Sequence, residues 1–158
     1  ISEISQSLPV IFPIHPRTAK QVEAFGFKAF FSSFYGQGIG HGDHNRGVHC
    51  IEPQGYLDFL RLLSCARLVL TDSGGIQEET SVLHVPCVTM RENTERPVTI
   101  SCGTNILAGT KKNSIIGAAS DHLTSQGIPG NVRERNKVPD LWDGMAAERI
   151  VKVLSRYC

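Results

Sequence analysis

From Leu68 to Glu79 the chain reads Leu-Val-Leu-Thr-Asp-Ser-Gly-Gly-Ile-Gln-Glu-Glu. The apolar run Leu68-Val69-Leu70 has the length and character of a short buried strand. Thr71 to Gly75 is a turn, and Ile76-Gln77-Glu78-Glu79 opens a helix. A strand that passes through a glycine-rich turn into a helix belongs in a parallel α/β sheet. Its helix start is an anion site, because free backbone N–H groups and the helix dipole both favour negative charge there. Gly74 and Gly75 lack a Cβ, so a phosphate can come close to the backbone. Ser73 can cap the helix and donate its hydroxyl to a phosphate oxygen. Glu79, about one turn in, can accept from a pair of ribose hydroxyls. The same residues also read as an ordinary strand-to-helix turn with a good cap, and the segment alone leaves both readings open.

Two better-known phosphate loops are excluded. The chain has no G-x-x-x-x-G-K-[ST], and no G-x-G-x-x-G follows a strand. An ATPase or a nicotinamide enzyme is therefore not expected. The 158 residues suffice for one domain with a real core. Hydrophobic content of 41% and charged content of 20% are those of a soluble globular protein. A net charge of +1 gives no reason to expect a nucleic-acid partner. No apolar stretch approaches the roughly 20 residues of a membrane span, and no basic-then-apolar leader precedes Val10. The chain starts at Ile1 rather than Met, and it is expected to be a piece of a longer protein. Its cysteines, Cys50, Cys65, Cys87, Cys102 and Cys158, are odd in number and form no C-x-x-C pair. Cys50, Cys65 and Cys87 lie in or beside apolar runs and are expected to be small buried hydrophobes. A reducing, cytoplasmic compartment fits this usage.

Strands and helices alternate along the chain. Pro9 to Ile14 reads as a strand, and Arg17 to Phe25 as a helix closed by Gly26. Residues 30 to 47 are glycine-rich and read as a mobile loop. Val48 to Glu52 is a strand, and Pro53 is placed at the first position of the next helix. Tyr56, Phe59, Leu60, Leu62 and Leu63 give that helix an apolar face. Arg67 to Leu70, Pro86 to Met90 and residues 105 to 108 are further strands. Gly75 to Leu83 and Lys111 to Thr124 are further helices. Gly127 to Pro139 is polar and irregular. Asp143 is expected to cap a last amphipathic helix with Ala147, Ile150, Val151 and Leu154 on one stripe. The alternation implies an α/β fold, a Rossmann-like parallel sheet with helices on both faces. Ligands of such sheets sit at the carboxyl ends of the strands. His15, Ser73 and the 91 to 97 loop all fall at such ends.

Arg91-Glu92-Asn93-Thr94-Glu95-Arg96-Pro97 follows a buried strand, and Arg96 could pair bidentately with a phosphate. A solvated loop with an internal Glu–Arg pair is the other reading. His15 could donate to a phosphate or move a proton, or simply bond a loop carbonyl. Tyr56 and Phe59 are most simply core, although Phe59 could stack on a base. His41, Asp43, His44 and His49 form a polar cluster, but a glycine-rich loop offers neither fixed geometry nor supporting partners, so no metal is expected.

The motifs Pro13-Ile14-His15-Pro16-Arg17-Thr18, Glu52 to Leu60, Thr71 to Glu79, Arg91 to Thr99, Gly103-Thr104-Asn105 and Leu141 to Ile150 resemble, in order, those of the non-hydrolysing UDP-N-acetylglucosamine 2-epimerases. The resemblance covers nearly the whole chain and implies the C-terminal, UDP-holding half of a GT-B fold, with residues 1–158 forming one Rossmann-like domain. It implies diphosphate binding by Ser73, Gly74 and Gly75, ribose binding by Glu79, and phosphate binding with leaving-group stabilisation by Arg96. Phe59 would lie near the uracil, Gln54 would belong to the UDP site, and His15 would face the sugar–phosphate region. The implied reaction interconverts UDP-GlcNAc and UDP-ManNAc through loss of the C2 proton and of UDP, with no cofactor. The implied partners are UDP or a UDP-N-acetylhexosamine, a missing N-terminal domain that brings the key carboxylates, and further copies of the chain. This chain alone is expected not to epimerise. A binding module without catalysis, or half of a hydrolysing 2-epimerase, are the alternatives; the Asn93 to Pro97 pattern argues against a glycosyltransferase. One departure stands out. His84 occupies a position where the family usually has glycine, and histidine there costs about 1 kcal/mol if φ is positive.

Overall fold

A computed structural model describes residues 1–31, 46–124 and 138–157. The chain divides into two compact units, Ile1–Phe59 and Leu60–Cys158. All strand pairing among the described residues is parallel, and helices connect successive strands. The expected fold class is the one observed. The strands form two ladders rather than one, β1-β2 in the first unit and β3-β4-β5 in the second.

In the first unit, β1 (Val10–Pro13) runs beside β2 (Val48–Ile51), with Val10 opposite Val48 and Pro13 opposite Ile51. Helix α1 (Pro16–Ala24) lies between them in sequence. It starts where it does because Pro16 is preset for the first helical position and the His15 ring nitrogen Nδ1 accepts from the Arg17 amide at 3.2 Å. It stops at Gly26, whose φ of 71° is the left-handed conformation that releases a chain from a helix. Ile14, Ala19 and Cys50 form the buried core, with Phe12, Val22 and Phe31 packed against it.

Helix α2 (Tyr56–Cys65) begins three residues later than Pro53 suggested. Its first hydrogen bond runs from the Phe59 amide to the Gly55 carbonyl, 2.8 Å, so Gly55 rather than a residue before Pro53 sits at the helix entrance. The expected apolar face is buried only at Leu63, with Phe59 and Leu60 half-buried. Tyr56, expected in the core, is 64% exposed because it stands at the helix start, beyond the packed stretch. Cys65, at the helix end, is likewise exposed rather than buried. The four described cysteines are free thiols. Burial pushes the Cys50 thiol up to about 11 and raises that of Cys87 as well, which keeps both protonated and unreactive.

The second unit carries β3 (Val69–Thr71), α3 (Gly74–Leu83), β4 (Cys87–Thr89), α4 (Pro97–Ser101), β5 (Asn105–Leu107), α5 (Lys112–Thr124) and α6 (Ala146–Leu154). β4 is the central strand, with Cys87 opposite both Val69 and Asn105. Val69, Val85, Cys87, Val88, Leu63 and Ala119 supply its buried apolar side chains. α3 packs against this sheet and ends at His84, where φ is 56° and ψ 32°. The position that resembles a family glycine thus does adopt the left-handed conformation.

The last helix departs from expectation at its start. Asp143 is not its N-cap, which is Met145. Asp143 instead accepts from the Met145 amide at 2.9 Å and pairs with both carboxylate oxygens on Arg149 Nη1, 2.9 and 3.0 Å. The competing guanidinium and the left-handed Gly144 (φ 79°) place the cap two residues further along. No described helix is long and apolar enough to cross a membrane.

Candidate functional site

The carboxyl edge of the β3-β4-β5 sheet gathers the connections that leave it. Ser73 and Gly74 follow β3, the 91 to 97 loop follows β4, and Gly109-Thr110 follows β5. Backbone bonds knit these exits together: Met90 N to Thr71 O at 2.8 Å, and Gly109 N to Arg91 O at 3.0 Å.

Ser73 is the N-cap of α3 in the expected extended conformation (φ −85°, ψ 133°), but its hydroxyl makes no capping bond. Its amide donates to Thr71 Oγ1 at 3.0 Å. The hydroxyl is therefore not committed to capping the helix. At Gly75 a Cβ would meet nothing within 4 Å, whereas at Gly74 it would sit 3.1 Å from Glu95 Oε1. The backbone of this helix start is therefore open at Gly75, and a side chain at Gly74 would crowd a carboxylate.

The 91 to 97 loop brings Arg96 to the same edge. Arg96 Nε lies 2.7 Å from Glu78 Oε1 on α3, both side chains being about two-fifths exposed. The contact is an ion pair without an aligned hydrogen bond, since Nε is shielded from solvent yet donates to no acceptor. Arg91 Nη1 pairs with Glu95 at 3.0 and 3.2 Å. A backbone hydrogen bond of its own and then Arg91 hold the Glu95 carboxyl below its usual range. Glu92 is also held low, first by the Thr110 hydroxyl at 2.7 Å and then by the Thr110 amide at 3.0 Å. The edge thus carries ionised carboxylates beside its two arginines, and an anion arriving there competes with Glu78 for Arg96. Glu79 follows one residue later on α3, half-buried, and its carboxylate makes no hydrogen bond among the described residues.

The structure brings Ser73, Gly74, Gly75 and Arg96 together, with Glu79 on the same helix. His15, Gln54 and Phe59 lie in the first unit, at the carboxyl ends of β1 and β2 and in the first turn of α2. Gln54 Nε2 donates to the Glu52 carbonyl at 2.6 Å. His15 spends Nδ1 on its cap, which leaves Nε2 for any other partner. His49 is buried with Nε2 beside the Arg46 carbonyl, 3.1 Å. His41, Asp43 and His44 of the polar cluster fall outside the described residues. Among the described residues no group of three or more His, Cys, Asp and Glu is placed to hold a metal ion.

Sequence reasoning missed the residues beneath the site. Gln77, Thr80, Ser81, Thr89 and Thr99 are fully buried, and Thr104 and Asn105 nearly so. Gln77, Thr80 and Ser81 recur at helical spacing, the spacing of a core face, but their polarity suggests the opposite. Gly103 belongs to this layer. A Cβ there would lie 2.5 Å from Ser81 Oγ and 2.6 Å from the Thr99 carbonyl, so only glycine lets α3, α4 and β5 approach this closely.

Known proteins match this chain over nearly its whole length. The family model described as UDP-N-acetylglucosamine 2-epimerase matches residues 1–155. A UDP-N-acetylglucosamine 2-epimerase of Methanocaldococcus jannaschii is 41% identical over 92% of this chain and 35% of that protein. A UDP-2,3-diacetamido-2,3-dideoxy-D-glucuronate 2-epimerase of Pseudomonas aeruginosa is 38% identical over 73% of this chain and 28% of that protein. The solved structure of a Methanocaldococcus jannaschii UDP-GlcNAc 2-epimerase in complex with UDP-GlcNAc and UDP superposes with a TM-score of 0.73 at 40% identity, covering 98% of this chain and 38% of that one. The chain spans about a third of the length of the curated relatives it matches.

Proposed function

The chain belongs to the UDP-N-acetylglucosamine 2-epimerase family, and from that premise we propose that it holds the uridine diphosphate of an enzyme that interconverts UDP-GlcNAc and UDP-ManNAc. In this reading residues 1–158 act as one nucleotide-binding domain of a cytoplasmic enzyme. The observation that carries it is the meeting of an open Ser-Gly-Gly helix start with Arg96 on one sheet edge.

The chemistry follows from what those groups can do. The Ser73 hydroxyl and the first amides of α3 donate to the diphosphate, and the helix dipole favours its charge. Arg96 leaves Glu78 for the phosphate oxygens, exchanging a misaligned carboxylate contact for a bidentate one. Glu79 accepts from the ribose hydroxyls. The family resemblance assigns Phe59 to the uracil, Gln54 to UDP and His15 to the sugar–phosphate.

In the forward step a base takes the proton from C2, the C1–O bond breaks, and its electron pair leaves with UDP. Charge develops on the departing diphosphate, where Arg96 and the helix start stabilise it. The reverse addition reprotonates C2 on the other face. The acid and base at C2 must lie within hydrogen-bond reach of it. Glu92 and Glu95 are already engaged by Thr110 and Arg91, and Glu78, beside Arg96, belongs to the diphosphate edge rather than to C2. We therefore assign the proton transfers to groups outside this chain.

A chimaera tests this. Residues 1–155 replace the matching segment of the Methanocaldococcus jannaschii relative. It is expected to form UDP-ManNAc from UDP-GlcNAc in D₂O with deuterium at C2. It is expected to lose that activity when Ser73→Ala and Arg96→Ala are combined. A folded chimaera that turns over equally well with both substitutions would overturn the assignment.

A further inference from the structure

Beneath Arg96 lies a closed set of buried and half-buried hydrogen bonds with only one consistent direction. Gln77 Nε2 donates to the Ser73 carbonyl at 3.2 Å. Gln77 Oε1 accepts from Thr94 Oγ1 at 2.6 Å and from Asn105 Nδ2 at 3.1 Å. Asn105 Oδ1 accepts from Thr89 Oγ1 at 2.6 Å, and its Nδ2 also donates to Thr99 Oγ1 at 3.2 Å. The Thr94 oxygen in turn accepts from the Arg96 amide at 3.0 Å, and the Thr99 hydroxyl donates to the Arg96 carbonyl at 2.7 Å.

The polarity of each bond is fixed by its neighbours. The Ser73 carbonyl can only accept, so the Gln77 amide nitrogen must face it. Gln77 Oε1 therefore faces Thr94 and Asn105. Thr94 must spend its only proton on Gln77, because Gln77 Oε1 can only accept, and the Thr94 oxygen remains free to receive the Arg96 amide. Thr99 likewise spends its proton on the Arg96 carbonyl. Both backbone polar groups of Arg96 thus end on threonine hydroxyls, and both threonines end on the buried amides of Gln77 and Asn105. The far side of Gln77 holds the carbonyl of Ser73. Gln77 and Asn105 are 0% and 3% exposed, so water cannot replace a lost partner of either amide.

We infer that Gln77 and Thr94 are positioning residues, which set Arg96 against Ser73 through one shared hydrogen-bond relay. The inference rests on the proposed role of Ser73 and Arg96 in holding a diphosphate, and it adds what makes their spacing definite. Neither residue touches the nucleotide. Gln77 ties the helix start to the loop, and Thr94 turns the loop so that the Arg96 guanidinium leaves it on the site side. A reacting group held by such supports keeps its geometry to a few tenths of an ångström, and loses it when a support is removed.

The test uses Thr94→Val, which keeps shape and removes the hydroxyl, and Thr94→Ser, which keeps the hydroxyl. UDP affinity is measured by calorimetry on the full chain, and amide hydrogen exchange at Arg96 by NMR. Thr94→Val is expected to weaken UDP about tenfold, the size of one buried hydrogen bond, and to speed Arg96 exchange by at least about tenfold. Thr94→Ser is expected to restore both to within about twofold. In an Arg96→Ala background, Thr94→Val should weaken UDP no further, because its effect runs through Arg96. An equal loss in both backgrounds overturns the inference. So does unchanged Arg96 exchange in Thr94→Val. If the wild-type chain binds no UDP, the nucleotide reading falls, and the relay then stands or falls on the exchange result alone.

Discussion

Along α3 and β5 polar side chains are sealed from water, whereas along α6 apolar ones face it. Gln77, Thr80 and Ser81 have no exposed surface and Asn105 only 3%, while Val151 is 65% and Leu154 59% exposed. Both cases invert what side-chain type alone suggests. The buried polar groups tolerate burial because each has partners: amides bond hydroxyls and carbonyls, and hydroxyls bond backbone oxygens. The stripe of Ile150, Val151 and Leu154 forms a helix of strong amphipathic period, but no described element covers it. Period specifies which face of a helix is meant to be buried. It does not specify what does the burying, and α6 shows the two pieces of information separately. Such a face favours self-association.

The comparison can be broken at its buried end first. Asn105→Leu removes the partner of Gln77, Thr89 and Thr99 at once, and strands their polar atoms out of water's reach. Stability should fall by about 3 kcal/mol, at the upper end for buried unsatisfied groups. An unchanged denaturation midpoint would show that these buried polar groups do not depend on one another as argued.

The next effect is local and of opposite sign. His84 holds a left-handed φ of 56° at the end of α3. His84→Gly should stabilise the chain by about 1 kcal/mol, raising the thermal midpoint by about 2–4 °C. A lowered midpoint would mean that the imidazole makes contacts worth more than the strain.

At the exposed end, Val151→Glu should alter stability by less than about 0.5 kcal/mol. Sedimentation is where it should register, by dispersing the self-association that we expect of the wild-type chain. A wild-type chain that stays monomeric at high concentration would remove that half of the comparison. The smallest effect concerns Asp143. Hydrogen bonds from Arg149, then from the Met145 amide, hold its carboxyl down to about 2. Its folded value is depressed, so its contribution is complete above the ordinary 3.8 and disappears as pH falls through about 2. An NMR titration should find that midpoint, and Arg149→Ala should move it back toward the ordinary value. A midpoint near 4 in the wild type would mean that the pair does not form in solution.

These two regions also show how far the sequence could be read. Thr71 to Glu79 was legible because strand, turn and helix start are written in adjacent residues, and glycine and serine have few other uses there. The position of His84 was legible as one to question, because the family usually has glycine there, but whether φ is positive depends on the folded backbone. Arg91 to Arg96 was legible as a loop at a strand end, but not the engagement of Arg96 by Glu78, which depends on two segments meeting. The relay through Gln77, Thr94 and Asn105 was not legible at all. It joins residues up to 28 positions apart, and nothing local distinguishes a buried glutamine from a solvated one. The start of α2 was misplaced because Pro53 fits a first helical turn as well as it fits the extended approach to one. The separation of strands into two ladders likewise depends on contacts that no local pattern carries.

The central claim is that Ser73, Gly74, Gly75 and Arg96 form one diphosphate-holding edge, and UDP titration followed by backbone amide NMR tests it most directly. The account predicts saturable shifts concentrated at Ser73, Gly74, Gly75 and Arg96, and their loss in a folded chain carrying Ser73→Ala with Arg96→Ala. Saturable UDP binding that leaves these amides unmoved, or that persists undiminished in the double variant, would contradict it.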